Sequence, residues 1–412
     1  MHRERKMPSN IGKLVTRAGK RALAQVFGKS AERKAGTDSF VDFRDIIAVA
    51  PNLHWHYTGI TSTIISVVPR QAETFRVAAT GPFLPRMVPR VRFRSIVTQG
   101  WSLPNGYKCR IWHARRNNEM IIGLLLKYMF RQPWRLVFTS AAQRRHSLFT
   151  RWLMGAMDAL IATSEGAAAM LDRPSTIIYH GVDTERFKPA ERRAEMWKQS
   201  GLPGDFGIGV FGRIRPQKGT DLFVKAMIEL LPKYPGATAI LTGRAMGRHK
   251  KFAEKLQRCI AEAGLAERFV FLGEQARSKM PGLFREVSIY VAPMRSEGFG
   301  LTPLEAMASG TAVVATRVGA AAHLVSHGKT GALVDPDDLC ALIREIEPLL
   351  ANLAQAETLG SQARKKALDM HDIDVEACRI NAIYEALLKA EFKRPQKRDA
   401  QSGVQLGSER LA

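Results

Sequence analysis

Two short stretches of the chain bring together residue types that can handle a phosphorylated sugar. The first reads Gly212-Arg213-Ile214-Arg215-Pro216-Gln217-Lys218-Gly219-Thr220-Asp221. It follows an apolar run at 208–211 and precedes Leu222, Phe223, Ala226 and Met227 at helical spacing. A glycine-containing loop that feeds a helix start offers unpaired amide N–H groups to an anion. Arg213 and Lys218 add two cations at the same place, suited to clamping a diphosphate and neutralising charge on a leaving group. The second stretch reads Ser296-Glu297-Gly298-Phe299-Gly300-Leu301-Thr302-Pro303-Leu304-Glu305. Its two carboxylates flank a Gly-Phe-Gly loop, and a carboxylate is a good bidentate acceptor for vicinal hydroxyls. Glu297 and Glu305 therefore suit one hexose and one ribose. Glu305 also has a folding explanation. Thr302, Pro303, Leu304 and Glu305 fit N-cap, N1, N2 and N3 of a helix, with Glu305 as capping-box partner and Gly310 as the stop. Folding alone explains neither Glu297 nor a phenylalanine between two glycines.

The N-terminal half carries a second set of candidates. Gly59, in Tyr57-Thr58-Gly59-Ile60-Thr61, follows the first apolar run and opens a helical stretch; a plain strand–helix turn reads the same way. His113, Arg115 and Arg116 end another run, followed by Asn117 and Asn118. A lone histidine is usually structural, but this one stands beside two arginines where α/β sites form. Arg144 and Arg145 follow a third run, and Arg86, Arg90, Arg92 and Arg94 cluster among prolines. Arginines in these places suit phosphates and carboxylates, or a solvated basic face. Asp335-Pro336-Asp337 has the form of a metal-binding DxD, but its late position, far from the site glycines, reads as a turn. The four cysteines (Cys109, Cys259, Cys340, Cys378) follow no metal or disulfide spacing and suit a reducing cytoplasm.

Short apolar runs separated by helical stretches must position these residues. They fall at 46–50, 76–80, 96–98, 111–113, 136–139, 159–163 and 176–179, and the same grammar restarts at 208–211, 239–241, 269–272, 289–292, 312–315 and 332–334. Runs of this kind are how buried parallel strands read, and their alternation with helices means two successive βαβ domains. The expected division is a basic amphipathic extension over 1–40, domains over 41–190 and 191–375, a helix over 376–390 packing back on the first domain, and a disordered tail over 391–412. No run of eighteen apolar residues appears. The net charge of +24 is uneven: residues 1–180 hold 28 Lys+Arg against 10 Asp+Glu. An anionic partner for that half follows, and the extension, with Lys13, Arg17, Lys20 and Arg21 among its apolar positions, suits an anionic membrane surface.

The pairing of Gly212-Arg213…Lys218-Gly219 with Glu297-Gly298-Phe299-Gly300-Leu301…Glu305 resembles the retaining glycosyltransferases of family 4, over about residues 45–390. The resemblance implies a GT-B fold, an α/β architecture of two Rossmann-like doubly wound domains facing a central cleft. It implies that Arg213 and Lys218 bind the donor diphosphate, that Glu305 binds the ribose, and that Glu297 contacts the transferred sugar with the backbone of Phe299, Gly300 and Leu301. Gly59 would be the glycine loop near the phosphate, although the family has two adjacent glycines there. His113 matches the histidine placed beside the transferred sugar. The Arg-Arg-Asn-Asn run and Gln143-Arg144-Arg145-His146 are similar to lipopolysaccharide-core mannosyltransferases of alpha-proteobacterial type, with Arg115, Arg116, Arg144 and Arg145 on the acceptor side. The expectation is a cytoplasmic enzyme, peripheral on the inner membrane, without metal or other cofactor, moving mannose from GDP-mannose to an anionic lipid-linked oligosaccharide (lipid A-Kdo). A UDP-glucose or UDP-galactose donor keeps the same fold. A non-catalytic membrane- or nucleic-acid-binding protein leaves Glu297 and Glu305 unexplained, and no RNA motif or helix-turn-helix is present, so nucleic acid is not an expected partner.

Overall fold

The computed structural model describes residues 40–56 and 58–392. The basic extension therefore lies outside the described residues except for Phe40, and the tail except for Glu391 and Phe392. Two six-stranded, all-parallel sheets organise the chain. The first contains β1 (Ala48–Pro51), β2 (Val77–Thr80), β3 (Arg110–Ala114), β4 (Trp134–Ser140), β5 (Ala159–Ala162) and β6 (Thr176–Ile177), in the order β2-β1-β3-β4-β5-β6. The second contains β7 (Phe206–Phe211), β8 (Ala237–Thr242), β9 (Phe269–Gly273), β10 (Val287–Ala292), β11 (Ala312–Thr316) and β12 (Ala332–Val334), in the order β12-β11-β10-β7-β8-β9. Most strands are buried on both faces, as parallel sheets between helical layers are, while the edge strands β6 and β9 are only partly buried. Strand order reverses between β1 and β3 in one sheet and between β7 and β10 in the other. Ligands of open α/β sheets bind outside the carboxyl ends of strands at such switch points.

One expected strand is a helix. Residues 96–98 belong to the helix Phe93–Gln99. Phe93, Ile96 and Val97 recur at helical spacing, and Ile96 is buried in the core while Phe93 and Val97 pack against it. Three β-branched or polar residues in a row imitated a strand too short for its period to be read.

The two halves are joined by the chain crossing twice. Leaving β6, Val182 donates its N–H to the His371 carbonyl, and Ile373 donates back to Val182. The long helix Leu353–His371 ends there. A second helix, Ile373–Lys389, starts with Asp372 as its N-cap and lies on the helix Gly59–Thr74 of the first domain. It begins at Ile373, ahead of the expected 376. Gln71 donates to Asn381 at 2.9 Å, and Asn381 donates to Thr74 at 3.1 Å, within that contact.

Two glycines at φ near +70° differ in what surrounds them. At Gly219 (φ +65°) a Cβ would stand 1.7 Å from the Pro293 carbonyl oxygen, whereas at Gly201 (φ +70°) it would meet open space. Gly201→Ala should cost only the dihedral strain, about 1 kcal/mol. Gly219→Ala should cost about 3 kcal/mol or more, because the β7 and β10 loops must separate. Chemical denaturation of both variants checks this, and equal losses would show that close approach plays no part.

Candidate functional site

At the β7/β10 switch point the two loops are built against each other. β7 ends at Phe211, and Gly212 (φ +136°) turns the chain in a conformation few side chains allow. The turn Pro216–Lys218 follows, and Gly219 passes under Pro293 of the β10 loop into the helix Thr220–Leu230. Arg295, from the β10 loop, reaches back. Its guanidinium donates to both Asp221 oxygens at 2.7 and 2.8 Å, and to Asp337 at 2.6 Å. Asp337 belongs to the Asp335-Pro336-Asp337 turn, so that sequence is a turn whose second carboxylate anchors an arginine. Among the described residues no group of three or more His, Cys, Asp or Glu could hold a metal.

That scaffold brings Lys218 and Glu297 together. The Lys218 ammonium donates to Glu297 Oε2 and approaches Met294 Sδ at 3.4 Å, while Glu297 Oε1 accepts the Gly298 N–H at 3.1 Å. Arg213 is exposed at the mouth of the pocket that Gly212, Lys218 and Met294 line. Arg215 is half-buried beside them, and its Nε–H is buried without a partner in the described residues. Burial, then the Arg213 charge, pulls its pKa down, and Glu297 opposes them. Lys218 and Arg215 thus stand by one carboxylate, with Arg213 beside them, above a helix start, an arrangement that can receive a polyanion. Sequence reasoning passed over Arg215 and Arg295, although each stands inside or beside a motif it singled out.

Gly300 adopts φ +100° and is the N-cap of the helix Leu301–Ala308. Thr302 therefore lies inside the helix, and Glu305 is no capping-box partner. The capping explanation for Glu305 is corrected; Gly310 does end the helix, at φ +66° with its N–H on the Met307 carbonyl. The Glu305 carboxyl instead faces a pocket between the domains that also holds Ser62, Ser66, Arg186 and Arg277. Burial raises its pKa to about 7 against the pull of Arg277 and Arg186. Arg277 spans the domains, donating to Ser66 Oγ at 2.6 Å, and Arg186 donates to the Arg277 carbonyl. Phe299 is buried, with its ring edge-on to His180 at 4.9 Å and its carbonyl accepting from Ala320 at 2.8 Å. The phenylalanine between two glycines is thereby explained by packing, and Leu301 stands at the first helical position.

On the facing domain, Gly59 starts its helix with open space where a Cβ would stand and no positive φ. The fold does not require glycine there, which leaves room for a ligand at the helix N-terminus. The β3 loop turns two of the expected site residues, His113 and Arg115, into the fold. His113 is fully buried, with Nδ1 bonded to the Tyr384 hydroxyl and Nε2 to Thr139, each at 2.6 Å. Alternation along β3 turns Ile111 and His113 toward Tyr384 of the Ile373–Lys389 helix, so the residue near the strand end points into the core. Burial holds the imidazole neutral, with its pKa well below the usual value. Arg115 is also buried. Arg116 donates to Glu119 at 2.7 Å, Asn52 at 3.1 Å, and Thr58 and Thr61 at 2.9 and 3.3 Å. Arg116 thereby holds the loop before Gly59, while the Arg115 guanidinium donates to the His113 carbonyl at 3.4 Å. Glu119, which no motif singles out, is their hub: fully buried, it accepts from Leu53 N–H at 3.2 Å, Arg115 N–H at 2.8 Å and Arg116. Arg144 and Arg145 are exposed on the β4 loop, whose Ala141 carbonyl lies 3.0 Å from where a Cβ of Gly298 would stand. Of the proline-flanked arginines, Arg90 and Arg92 pack over the Phe40 ring.

Residues 192–366 match the family described as glycosyl transferases group 1. The chain is 46% identical to the lipopolysaccharide core biosynthesis mannosyltransferase LpcC of Rhizobium leguminosarum bv. viciae, over 84% of this chain and 98% of that protein. It is 45% identical to LpsB of Rhizobium meliloti, which carries the same description, over 85% and 100%. Among solved structures, Anabaena Alr3699/HepE in complex with UDP and glucose superimposes with a TM-score of 0.70 at 20% identity, over 82% of this chain and 99% of that one. That likeness is one of fold and identifies the two facing sheets as a GT-B architecture. The chain belongs to the group 1 glycosyltransferases, and it is a glycosyltransferase.

Proposed function

We propose that the enzyme transfers mannose from GDP-mannose, with retention at the anomeric carbon, to an anionic lipid-linked oligosaccharide of the lipid A-Kdo type in lipopolysaccharide core assembly. The single observation that carries this is near full-length identity to two lipopolysaccharide core mannosyltransferases. The work takes place at the cytoplasmic face of the inner membrane. No helix among the described residues is long and apolar enough to cross a membrane, so attachment there is peripheral in this reading.

In the reaction the bond from sugar C1 to the β-phosphate oxygen breaks, and a bond from the acceptor oxygen to C1 forms on the same face. The acceptor proton passes to the departing phosphate oxygen. Lys218 and Arg213 balance the charge that builds on the diphosphate, helped by the amides that open the helices at Thr220 and Leu301. The Lys218–Glu297 pair gives this a switch of partners: an arriving diphosphate draws the ammonium, and Glu297 is freed to accept hydroxyls of the sugar. Glu305 accepts the ribose hydroxyls, and Gly59 leaves the phosphates room at its helix start. The scheme assigns no step to a metal.

The decisive measurement is turnover across a donor panel with a deacylated core acceptor. GDP-mannose should be used; turnover with UDP-glucose or UDP-galactose and none with GDP-mannose would overturn the donor assignment. Lys218→Ala should lower kcat about 100-fold or more. Glu305 binds in its ionised form, so kcat/KM for the donor should fall as pH drops through about 7. The raised pKa also has a stability sign. The folded chain holds this proton more tightly than the unfolded one, so the contribution is present below about 4.5 and lost as pH rises to about 7. Glu305→Gln should therefore be more stable than the parent at pH 8, on the order of 3 kcal/mol, and equal to it at pH 4. A constant offset at both pH values would place the ionisation elsewhere. His113→Asn should lower the melting temperature by several degrees while kcat stays within about threefold; a large loss of kcat in a stably folded variant would return the histidine to the site.

A further inference from the structure

The loops that follow β2, β1, β3 and β4 form one rim, because these strands are neighbours in the sheet. Hydrogen bonds tie them in series. Asn52 donates to the Pro82 carbonyl at 2.8 Å, Asn118 donates to the Leu53 carbonyl at 2.6 Å, and Asn117 donates to Thr150 at 2.7 Å. Along this rim stand large apolar side chains that nothing in the described chain covers. Phe83 is 53% exposed, Met87 66% and Leu148 79%, with Trp55 on the loop between them at 39%. Exposed cations alternate with them: Arg86 between Phe83 and Met87, and Arg144 and Arg145 just before Leu148. Phe83 sits at φ +59°, a left-handed conformation that aromatic residues rarely adopt, and its ring is turned to solvent with no burial to offset the strain. Asn52 pins that loop on both sides, since a Cβ on Gly81 would stand 2.2 Å from the Asn52 carbonyl oxygen.

Single exposed apolar residues are ordinary. A fixed row of them interleaved with arginines is the make-up of a surface that inserts into a lipid interface while its cations meet anionic headgroups. We infer that this rim of the N-terminal domain is a docking surface for an anionic membrane. Phe83, Met87 and Leu148 enter the interface, and Arg86, Arg144 and Arg145 pair with lipid phosphates. The β4 loop of the rim also meets Gly298, so docking sets the donor cleft against the membrane in which a lipid-linked acceptor is held. The inference extends the proposed membrane attachment but does not depend on the donor or on the acceptor sugar.

The test uses the full chain and co-sedimentation with vesicles of phosphatidylcholine alone or with phosphatidylglycerol. The parent should bind only the anionic vesicles. Phe83→Ser/Met87→Ser/Leu148→Ser should weaken that binding about tenfold or more. Its melting temperature and its transfer to a deacylated, water-soluble acceptor should stay unchanged. Tyr128→Ser/Met129→Ser, exposed before β4 at the opposite edge of the sheet, serves as the control and should bind as the parent does. Deleting residues 1–35 separates the contribution of the basic extension. The inference is overturned if the triple variant binds anionic vesicles like the parent, or if the control loses binding equally. It is also overturned if the triple variant keeps vesicle binding and only turns a dimer into a monomer in sedimentation, which would make the rim a self-association face. A wrong donor assignment would show in the donor panel and leave all of these vesicle results unaffected.

Discussion

The bidentate contact between Arg295 and Asp221 is the interaction on which the loops of the second domain depend. Asp221 stands in the first turn of the helix that follows the β7 loop, and Arg295 in the loop that follows β10. β7 and β10 are paired strands, so the sheet brings the loops to the same edge but does not fix their separation. The fork-to-fork contact does, and Asp337 secures the guanidinium from the other side. With both carboxylates in place Arg295 has little charge left for a ligand. Its role is to keep Gly219 beneath Pro293 and to hold Lys218 against Glu297. A glycine at 219 is the counterpart of this contact, since any side chain there would separate the loops that Arg295 draws together.

The same division between buried charges that position and exposed charges that bind recurs across the cleft. Glu119, Arg116 and His113 are spent inside the first domain. Glu119 gathers backbone N–H groups from the β1 and β3 loops, and burial pushes its pKa up against the pull of Arg116. Removing either partner would leave the other buried and unpaired, which costs more than the pair contributes. The pair therefore acts as one unit that holds Asn52, Thr58 and Thr61 in front of the helix carrying Gly59. His113 ties the sheet to the C-terminal helix through Tyr384 in the same way. Glu376 of that helix accepts from His180 at 2.8 Å and from Gly181 N–H at 2.7 Å, at the point where the chain crosses between domains.

The architecture was legible in the sequence because a parallel strand buried on both faces is a bare apolar run. Twelve of the runs lie on strands for that reason. The exception at 96–98 failed because three residues are fewer than one helical repeat. The two glycine loops were legible because both need glycine for backbone reasons, visible at Gly212, Gly219 and Gly300 as positive φ. The direction of a side chain was not legible. His113 is near the end of its strand, yet alternation sends it sideways into the core, and nothing in the neighbouring residue types records that. Glu305 illustrates the converse. The pattern Thr-Pro-Leu-Glu is that of a capping box, but the helix starts earlier, at a glycine in the left-handed region, so the register of the motif slips and the carboxyl falls on the pocket side. Motif spacing located the loops, while backbone phase decided which of their side chains reach the cleft.

That phase also explains why the charge asymmetry is informative only residue by residue. Many of the arginines of the first domain are internal. Arg110 is fully buried and donates to the carbonyls of Ile46 and Ser102, and its pKa is drawn down to about 10 by burial. Arg135 and Lys127 converge on Asp158, and at the surface Arg90 and the exposed Arg92 stack on Phe40. A guanidinium that already satisfies carbonyls or stacks on a ring contributes a long-range field but no contact. Subtracting these leaves exposed cations at both edges of the sheet: Arg86, Arg144 and Arg145 at the carboxyl edge beside the exposed apolar residues, and Arg76, Lys108 and Arg131 at the amino edge. The excess charge of the first half thus resolves into an internal part that braces the parallel strands and an external part spread over both edges of the sheet, of which Arg86, Arg144 and Arg145 alone stand among the exposed apolar residues of the carboxyl rim.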